Sequence, residues 1–504
     1  MNFKKAFCLF LSVIMIITAF SAVSVSASAE GGMPDAAFGG GQPPEKPDGE
    51  ALGEPPEGMG GPGSGMGTPP DGAPDGDMGT PPDGGMGGPG GMPGGGPGSS
   101  SDDIDYSGAV EITSAESQES LTYETSAVDQ SALLISTAED VTVTNPTVVK
   151  SGSSDGGDSC NFYGLNAAVL VKDGSTATIT GGTITSDADG ANGVFSYGGN
   201  GGRNGAEGDG TTVIIRDTVI TTTGSGSGGI MTTGGGTTYA YDLTVTTSGG
   251  SSAPIRTDRG GGTVHVDGGS YTSNGLGSPA IYSTADITVE NAALTSNLSE
   301  GVCIEGKNSI TLLNCDLTAS NTKCNGNATF LDTIMIYQSM SGDADSGTSS
   351  FTMTGGSLTS KSGHVFHVTN TNAVISLSDV EIRNEDASGV LLSVCDDGWN
   401  GAGNIATLNA DGQTLSGTLL VGSNSSLTLN LINGSTFTGT VSGEIVNAKG
   451  DTVSTETGTA DVTLDSTSTW SLTADTYVSS FSGDTANITF NGYTLYVDGV
   501  AVNP

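Results

Sequence analysis

A repeat constrains this chain more than any other feature. Two core-type residues recur five positions apart with a turn between them. The pairs are Val143/Val148, Ile179/Ile184, Ile214/Val219, Ala240/Val245, Val266/Tyr271, Val289/Leu294, Leu312/Leu317, Met353/Leu358 and Leu377/Ile382. The turn is often Gly-Gly, as at Gly181-Gly182, Gly268-Gly269 and Gly355-Gly356. About ten residues past the second member another apolar residue follows: Val194, Ile255, Ile281, Ile304, Val368 and Leu392, with Ile230 at eleven. Around these positions Thr, Ser, Val, Ile, Gly and Asn dominate. Short alternating runs broken by Gly, Asp and Asn read as strands and turns, and no stretch keeps a helical period.

Successive copies begin 36, 35, 26, 26, 23, 23, 41 and 24 residues apart. A base step of 23 to 26 with insertions is the mark of a solenoid. Each copy makes two or three short strands that cannot bury a face alone. Coiling stacks equivalent residues at roughly 4.8 Å per rung, so nine rungs span about 38 Å. The leucine-rich LxxLxL pattern is absent, and a β-sandwich does not repeat one motif at this spacing. Aromatic residues make up only 5% of the chain, which suits a narrow core of aliphatic stacks. The expected fold is all-β, a right-handed parallel β-helix over residues 102–404. Residues 405–504 read as terminal rungs and a cap, with Trp470, Phe481, Phe490, Tyr493 and Tyr496 gathered at the end.

The flanks carry a different signal. Residues 1–29 read as a signal peptide: Lys4 and Lys5, an apolar stretch from Phe7 to Phe20, then Ala27-Ser28-Ala29. No later segment is an apolar span, so secretion without membrane insertion is expected, with possible retention at the cell surface. Residues 30–101 are a Gly/Pro/Met-rich acidic linker in which GMGGPG and GTPPDG each occur twice. They hold too little branched or aromatic side chain to offset the entropy of ordering. Removing the leader leaves 12 basic residues against 55 acidic, a net charge of −43. Such a field repels nucleic acid and anionic membranes and can recruit cations. Five cysteines remain, Cys160, Cys303, Cys315, Cys324 and Cys395, with no CxxC spacing for zinc. They read as small buried residues, with at most one pair among Cys303, Cys315 and Cys324.

The rungs resemble the pectin-lyase-like superfamily, and most of all its secreted, adhesin-like β-helix proteins of Gram-positive bacteria. The resemblance rests on rungs such as TATITGGTITS after Ser175 and RTDRGGGTVHVDGG at Arg256 to Gly269. It implies the fold. It leaves function open, because β-helices of this kind include lyases, hydrolases, adhesins and inert spacers.

Stacking suggests one place for chemistry. Aligning rungs on Ile255, Ile281 and Ile304 puts Arg256, Tyr282 and Glu305 in one column and Asp258, Thr284 and Lys307 in a second, with Arg259 and Glu300 beside them. A polysaccharide lyase needs an Arg or Lys base and a cation to stabilise an enolate; a glycosidase needs two carboxylates about 5 to 10 Å apart. Arg256 and Glu305 are two rungs, roughly 10 Å, apart. A ladder of surface ion pairs explains the same residues. Weaker candidates are Asp396-Asp397 with Trp399, read as a solvated turn, and scattered calcium pairs: Asp155/Asp158, Asp187/Asp189 and Asp343/Asp345. His364 and His367 are placed on opposite strand faces, and no Ser/His/Asp grouping is visible. An outward row reads Thr185, Ile220, Thr246, Thr272, Thr295, Thr318, Thr359 and Arg383. The leading expectation is a non-enzymatic adhesin or carbohydrate-binding protein with no cofactor beyond possible Ca²⁺. The alternatives are a lyase or hydrolase of an acidic polysaccharide and an ice-binding protein.

Overall fold

The computed structural model describes residues 104–201, 207–399 and 403–502. The expected leader and the whole of the linker lie outside the described residues. Three long parallel sheets wind around one core. Sheet A has 15 strands, from Gly108–Ile112 to Ile488–Thr489. Sheet B has 14, from Glu116–Glu119 to Ser480–Ser482. Sheet C has 10, from Thr122–Thr125 to Glu381–Asn384. The chain visits A, B and C in turn, and each strand pairs in parallel with its equivalent one coil before and after. One rung, for instance, is Ile255–Thr257, Gly262–Asp267 and Ser270–Ser273. The protein is a parallel β-helix.

The five-residue motif is the corner between sheets B and C. Its central turn residue takes left-handed φ in every coil: Asn145 (49°), Gly181 (69°), Asp217 (51°), Asp242 (50°), Gly268 (77°), Asn291 (55°), Asn314 (52°), Gly355 (65°) and Asp379 (54°). Gly, Asn and Asp adopt this conformation at low cost, and the corner uses one of them in all but the first coil, where Ser120 takes the same position (55°). The second glycine answers to packing as well: a Cβ on Gly182 would lie 2.2 Å from the Pro146 carbonyl oxygen of the coil below.

Inside, equivalent aliphatic residues stack. One column runs Ile255, Ile281, Val302, Ile334, Phe366 and Leu392, all fully buried. Two expected positions shift here by two residues. Ile304 pairs with Ser283 rather than Ile281, and Val368 pairs with Val394 rather than Leu392. The corner after Leu294 is two residues shorter than its neighbours and the next corner is two longer, so the total step hides the change. A third correction is by one residue. Ile215 and Ile220 are the buried pair; Ile214 is half-buried and Val219 is 43% exposed. The run Thr-Val-Ile-Ile-Arg fits either register by hydrophobicity alone.

Several polar groups inside the coil are satisfied by the corners. Thr222, Ser273, Ser296 and Ser360 sit two residues past the sheet C core residue. Each donates to a carbonyl of the following corner, at 2.5, 2.6, 3.0 and 3.2 Å. Lys150 occupies the same column and is 1% exposed; its Nζ donates to the carbonyls of Ala127 (2.7 Å) and Gly152 (2.5 Å). Burial pushes its ammonium down to about 8.

Beyond Asn384 the coil has two long sides. Strands reach eight residues at Asn404–Asp411, Thr414–Val421 and Ser425–Ile432. Trp470 closes the interior, stacked on Phe437 with centroids 5.7 Å apart. A small sheet of Thr476–Val478, Leu495–Val497 and Val500–Val502 follows.

Two aspartate substitutions test this register. Ile281→Asp buries an unpaired charge between Ile255 and Val302 and should abolish folding, read as loss of the β-sheet circular dichroism signal. Val219→Asp should fold and melt within a few degrees of the parent, because its side chain faces solvent. An Ile281→Asp protein that melts like the parent contradicts the stacking.

Candidate functional site

The outer face of sheet A is covered. At its N-terminal side, helix α1 (Asp158–Tyr163) brings Phe162 and Tyr163 onto Leu134, Leu170, Phe195 and Met231. Further along, Ala328 and Trp399 pack with Cys303, Met335 and Tyr337. Between these apolar patches lies the charged set.

Arg256 is 9% exposed. Its Nη2 donates to Asp258 Oδ2 at 2.8 Å, and its Nη1 donates to the Ser251 carbonyl (3.0 Å) and Asn161 Oδ1 (3.3 Å). Arg259 forks onto Asp343 Oδ1 through Nε (3.1 Å) and Nη2 (2.6 Å), with its guanidinium 4.2 Å from the Phe162 ring centroid. Glu305 is fully buried. It accepts from Tyr282 Oη (2.6 Å), Tyr337 Oη (3.0 Å) and Ser341 Oγ (3.3 Å), and from the Ser339 hydroxyl. Burial raises the Glu305 carboxyl above its usual range. Burial also lifts Asp258 to about 7, against the opposing pull of Arg256 and with the Asp343 charge adding to it.

Of the seven residues singled out from sequence, Arg256, Asp258, Arg259, Tyr282 and Glu305 come together, in an altered register. The first column is Arg256, Tyr282 and Cys303; Glu305 pairs instead with Tyr337. Tyr282 still reaches Glu305 because its ring spans the offset. Lys307 is not part of the set. It pairs with Asp345 at 2.8 Å, half-exposed, beside a shallow groove of about 370 Å³ lined in part by Glu207, Gly261, Thr263 and Asp286. Glu300 forms a neighbouring cluster, accepting from Asn325 Nδ2 at 3.0 and 3.1 Å and from the Ser299 hydroxyl. The surface-ladder reading therefore fails for Arg256 and Asp258, which are enclosed, and holds for Lys307. Asp343 and Asp345, grouped from sequence as a calcium pair, are divided between Arg259 and Lys307.

Two further readings are corrected. Asp397 and Trp399 are not in a solvated turn. Trp399 is 3% exposed against Tyr337, with centroids 5.0 Å apart, and Asp397 Oδ1 accepts from Thr329 N and Oγ1 and from Gly398 N, each at 2.7 Å. The histidines share a face as well. His364 Nδ1 and His367 Nδ1 both lie 2.7 Å from Ser393 Oγ, and His367 Nε2 lies 3.2 Å from Asp397 Oδ2. Val365 and Phe366 both turn to the core, which breaks the alternation the sequence implied. A Ser-His-Asp set thus exists, but it is sealed. Ser393 and the His367 and Asp397 side chains have no solvent exposure, and Phe330 packs on both imidazoles. Burial pushes His364 down to about 3, so it stays neutral. Burial pushes Asp397 up, but the bonds from His367 and Thr329 outweigh it and hold the carboxyl low. The five cysteines described are all free thiols, four of them buried.

The cluster reads as an internal electrostatic brace for the loops that cover sheet A. Removing one partner of a buried pair costs about 3 to 5 kcal/mol, against about 1 or less for an exposed pair. Arg256→Gln should therefore lower the melting temperature sharply and Lys307→Gln hardly at all. The pH dependence has a definite sign. The folded pKa of Asp258 lies above its unfolded value of about 3.9, so protonation favours the folded state. Its contribution is complete below pH ~4 and is lost as pH rises through about 7. Denaturant titrations from pH 4 to 8 should show this loss, with a flatter profile for Asp258→Asn.

No protein family, no curated protein and no solved structure matches the chain, so the reading of these surfaces rests on the chain's own residues.

Proposed function

We propose that this chain is a secreted, non-catalytic, adhesin-like β-helix that binds extended glycans along the outer face of sheet C. The observation that carries the reading is an unbroken ladder of seven threonines on consecutive rungs: Thr185, Thr221, Thr246, Thr272, Thr295, Thr318 and Thr359, ending at Arg383. The corrected register replaces Ile220 by Thr221 and removes the one gap in the row. Six of these threonines are exposed or half-exposed, and Thr359 is buried. Outward neighbours two residues before them include Thr183, Thr244, Ser270 and Ser357.

A threonine hydroxyl carries one donor and two acceptor lone pairs, and the rungs repeat it every ~4.8 Å, although Thr185 directs its donor to the Val148 carbonyl at 3.1 Å. A sugar unit of an extended polysaccharide is about as long as one rung is tall. A glycan laid along the coil can therefore repeat the same contact at each step, and many weak contacts on one rigid face add. The acidic surface, with Asp316 and Glu381 bordering the ladder, suits neutral or cationic sugars better than uronates. The enclosure of Arg256, Asp258 and Glu305 weighs against polymer cleavage at that cluster.

The test is a glycan array followed by titration of the best ligand against Thr246→Val/Thr272→Val/Thr295→Val. Valine keeps the branched shape and removes only the hydroxyls. Hydrogen bonds worth roughly 0.5 kcal/mol or more each predict at least a tenfold loss of affinity with little change in melting temperature. Unchanged binding by the triple variant, or depolymerase activity in place of binding, contradicts the proposal.

A further inference from the structure

Glu300 and Asp332 lie two residues before Val302 and Ile334, which pair across adjacent coils, and Gly301 N donates to the Thr333 carbonyl at 2.8 Å. The two acids thus hold equivalent positions on successive rungs of sheet A, roughly 4.8 Å apart along the axis. Both are enclosed, at 2% and 1% exposure. Glu300 has partners in Asn325 and Ser299. Asp332 has none: both of its carboxylate oxygens are buried without a hydrogen bond, and so is the hydroxyl of the next residue, Thr333. An ionised carboxylate buried with nothing to bind, beside a second carboxylate, is unfavourable unless it takes up a proton or a positive charge lies between the two.

We propose that Glu300 and Asp332 hold a buried divalent cation of the Ca²⁺ class. Among the described residues no group of three or more His, Cys, Asp and Glu side chains is arranged to hold a metal. The ion therefore takes two carboxylates and completes its shell with neutral oxygens or water, a set that suits a hard oxygen-seeking cation and not zinc. The surroundings fit a structural site. The Asn321–Phe330 segment lies over it: Asn321 Nδ2 donates to the Asp332 carbonyl at 3.2 Å, and Asn325 bonds Glu300. A cation here ties that segment to two rungs at once. Without it, burial together with the Glu300 and Asp397 charges drives the Asp332 carboxyl well above its ordinary range. The inference does not depend on glycan binding.

The experiment uses the full secreted chain, dialysed against a chelator and then against Ca²⁺. Calcium content and melting temperature are measured for the parent, Asp332→Asn and Glu300→Gln. The expected result is one more bound Ca²⁺ per chain in the parent than in either variant, with a Ca²⁺-dependent rise in melting temperature that the variants lack. If Asp332→Asn does not fold, the Glu300→Gln comparison decides. Equal calcium uptake by parent and variants overturns the proposal, as does a parent that takes up none. A higher melting temperature for Asp332→Asn than for the parent in saturating Ca²⁺ also overturns it, because it would mean that Asp332 carries a proton instead.

Discussion

Every feature of this protein depends on backbone pairing between successive coils. A parallel ladder fixes which residue lies above which, so the chain reads as columns rather than as segments. A column tolerates one kind of environment. Inward columns are mostly aliphatic, with an occasional aromatic such as Phe366, or carry small polar residues of which several bond the next corner. The corner column between sheets B and C is Gly, Asn or Asp at every coil but the first, where it is Ser120, because its φ is positive. Outward columns are free to vary, and there the regularity of the threonine ladder is not required by folding.

Insertions break the columns only where they leave the coil, and two of the three long steps do so over the face of sheet A. The step after Val143 contains α1, which covers the first rungs of sheet A. The step after Leu312 contains both the Asn321–Phe330 segment and the turn carrying Ser339, Ser341 and Asp343. These segments need something to hold them. Phe162, Ala328 and Trp399 supply apolar contact at either end, and Arg256, Arg259, Asp258, Asp343 and Glu305 supply charge in the middle. The result is a sheet A face filled by the chain itself and a sheet C face left open and regular from Thr185 to Thr318.

The sequence carries the fold openly because two independent signals coincide at each corner, an aliphatic pair and a turn residue. Register within a coil is harder. Only the total step is visible, and two compensating residues moved between corners displaced Ile304 and Glu305. The charged cluster is legible, but its enclosure is not, because burial there comes from Tyr337, whose rung is displaced by the shifted register, and from Ser339 and Asp343, which lie in an insertion with no repeat to align it. The Ser393, His367 and Asp397 grouping was invisible for a related reason. It depends on Val365 and Phe366 both turning inward, a local irregularity that alternation cannot announce.

The central claim is that the charged residues of sheet A are internal to the structure and that this face is closed. Residue-specific covalent footprinting of the native protein tests it most directly, with arginine labelled by a dicarbonyl reagent and carboxylates by a carbodiimide. Arg216 and Arg383 are exposed, as is Glu381, and they set the reference rate. The account predicts that Arg256 and Glu305 label far more slowly than these residues until the protein is unfolded. Labelling of Arg256 and Glu305 at the reference rate in the native state would mean that the face is an open cleft, and would contradict it.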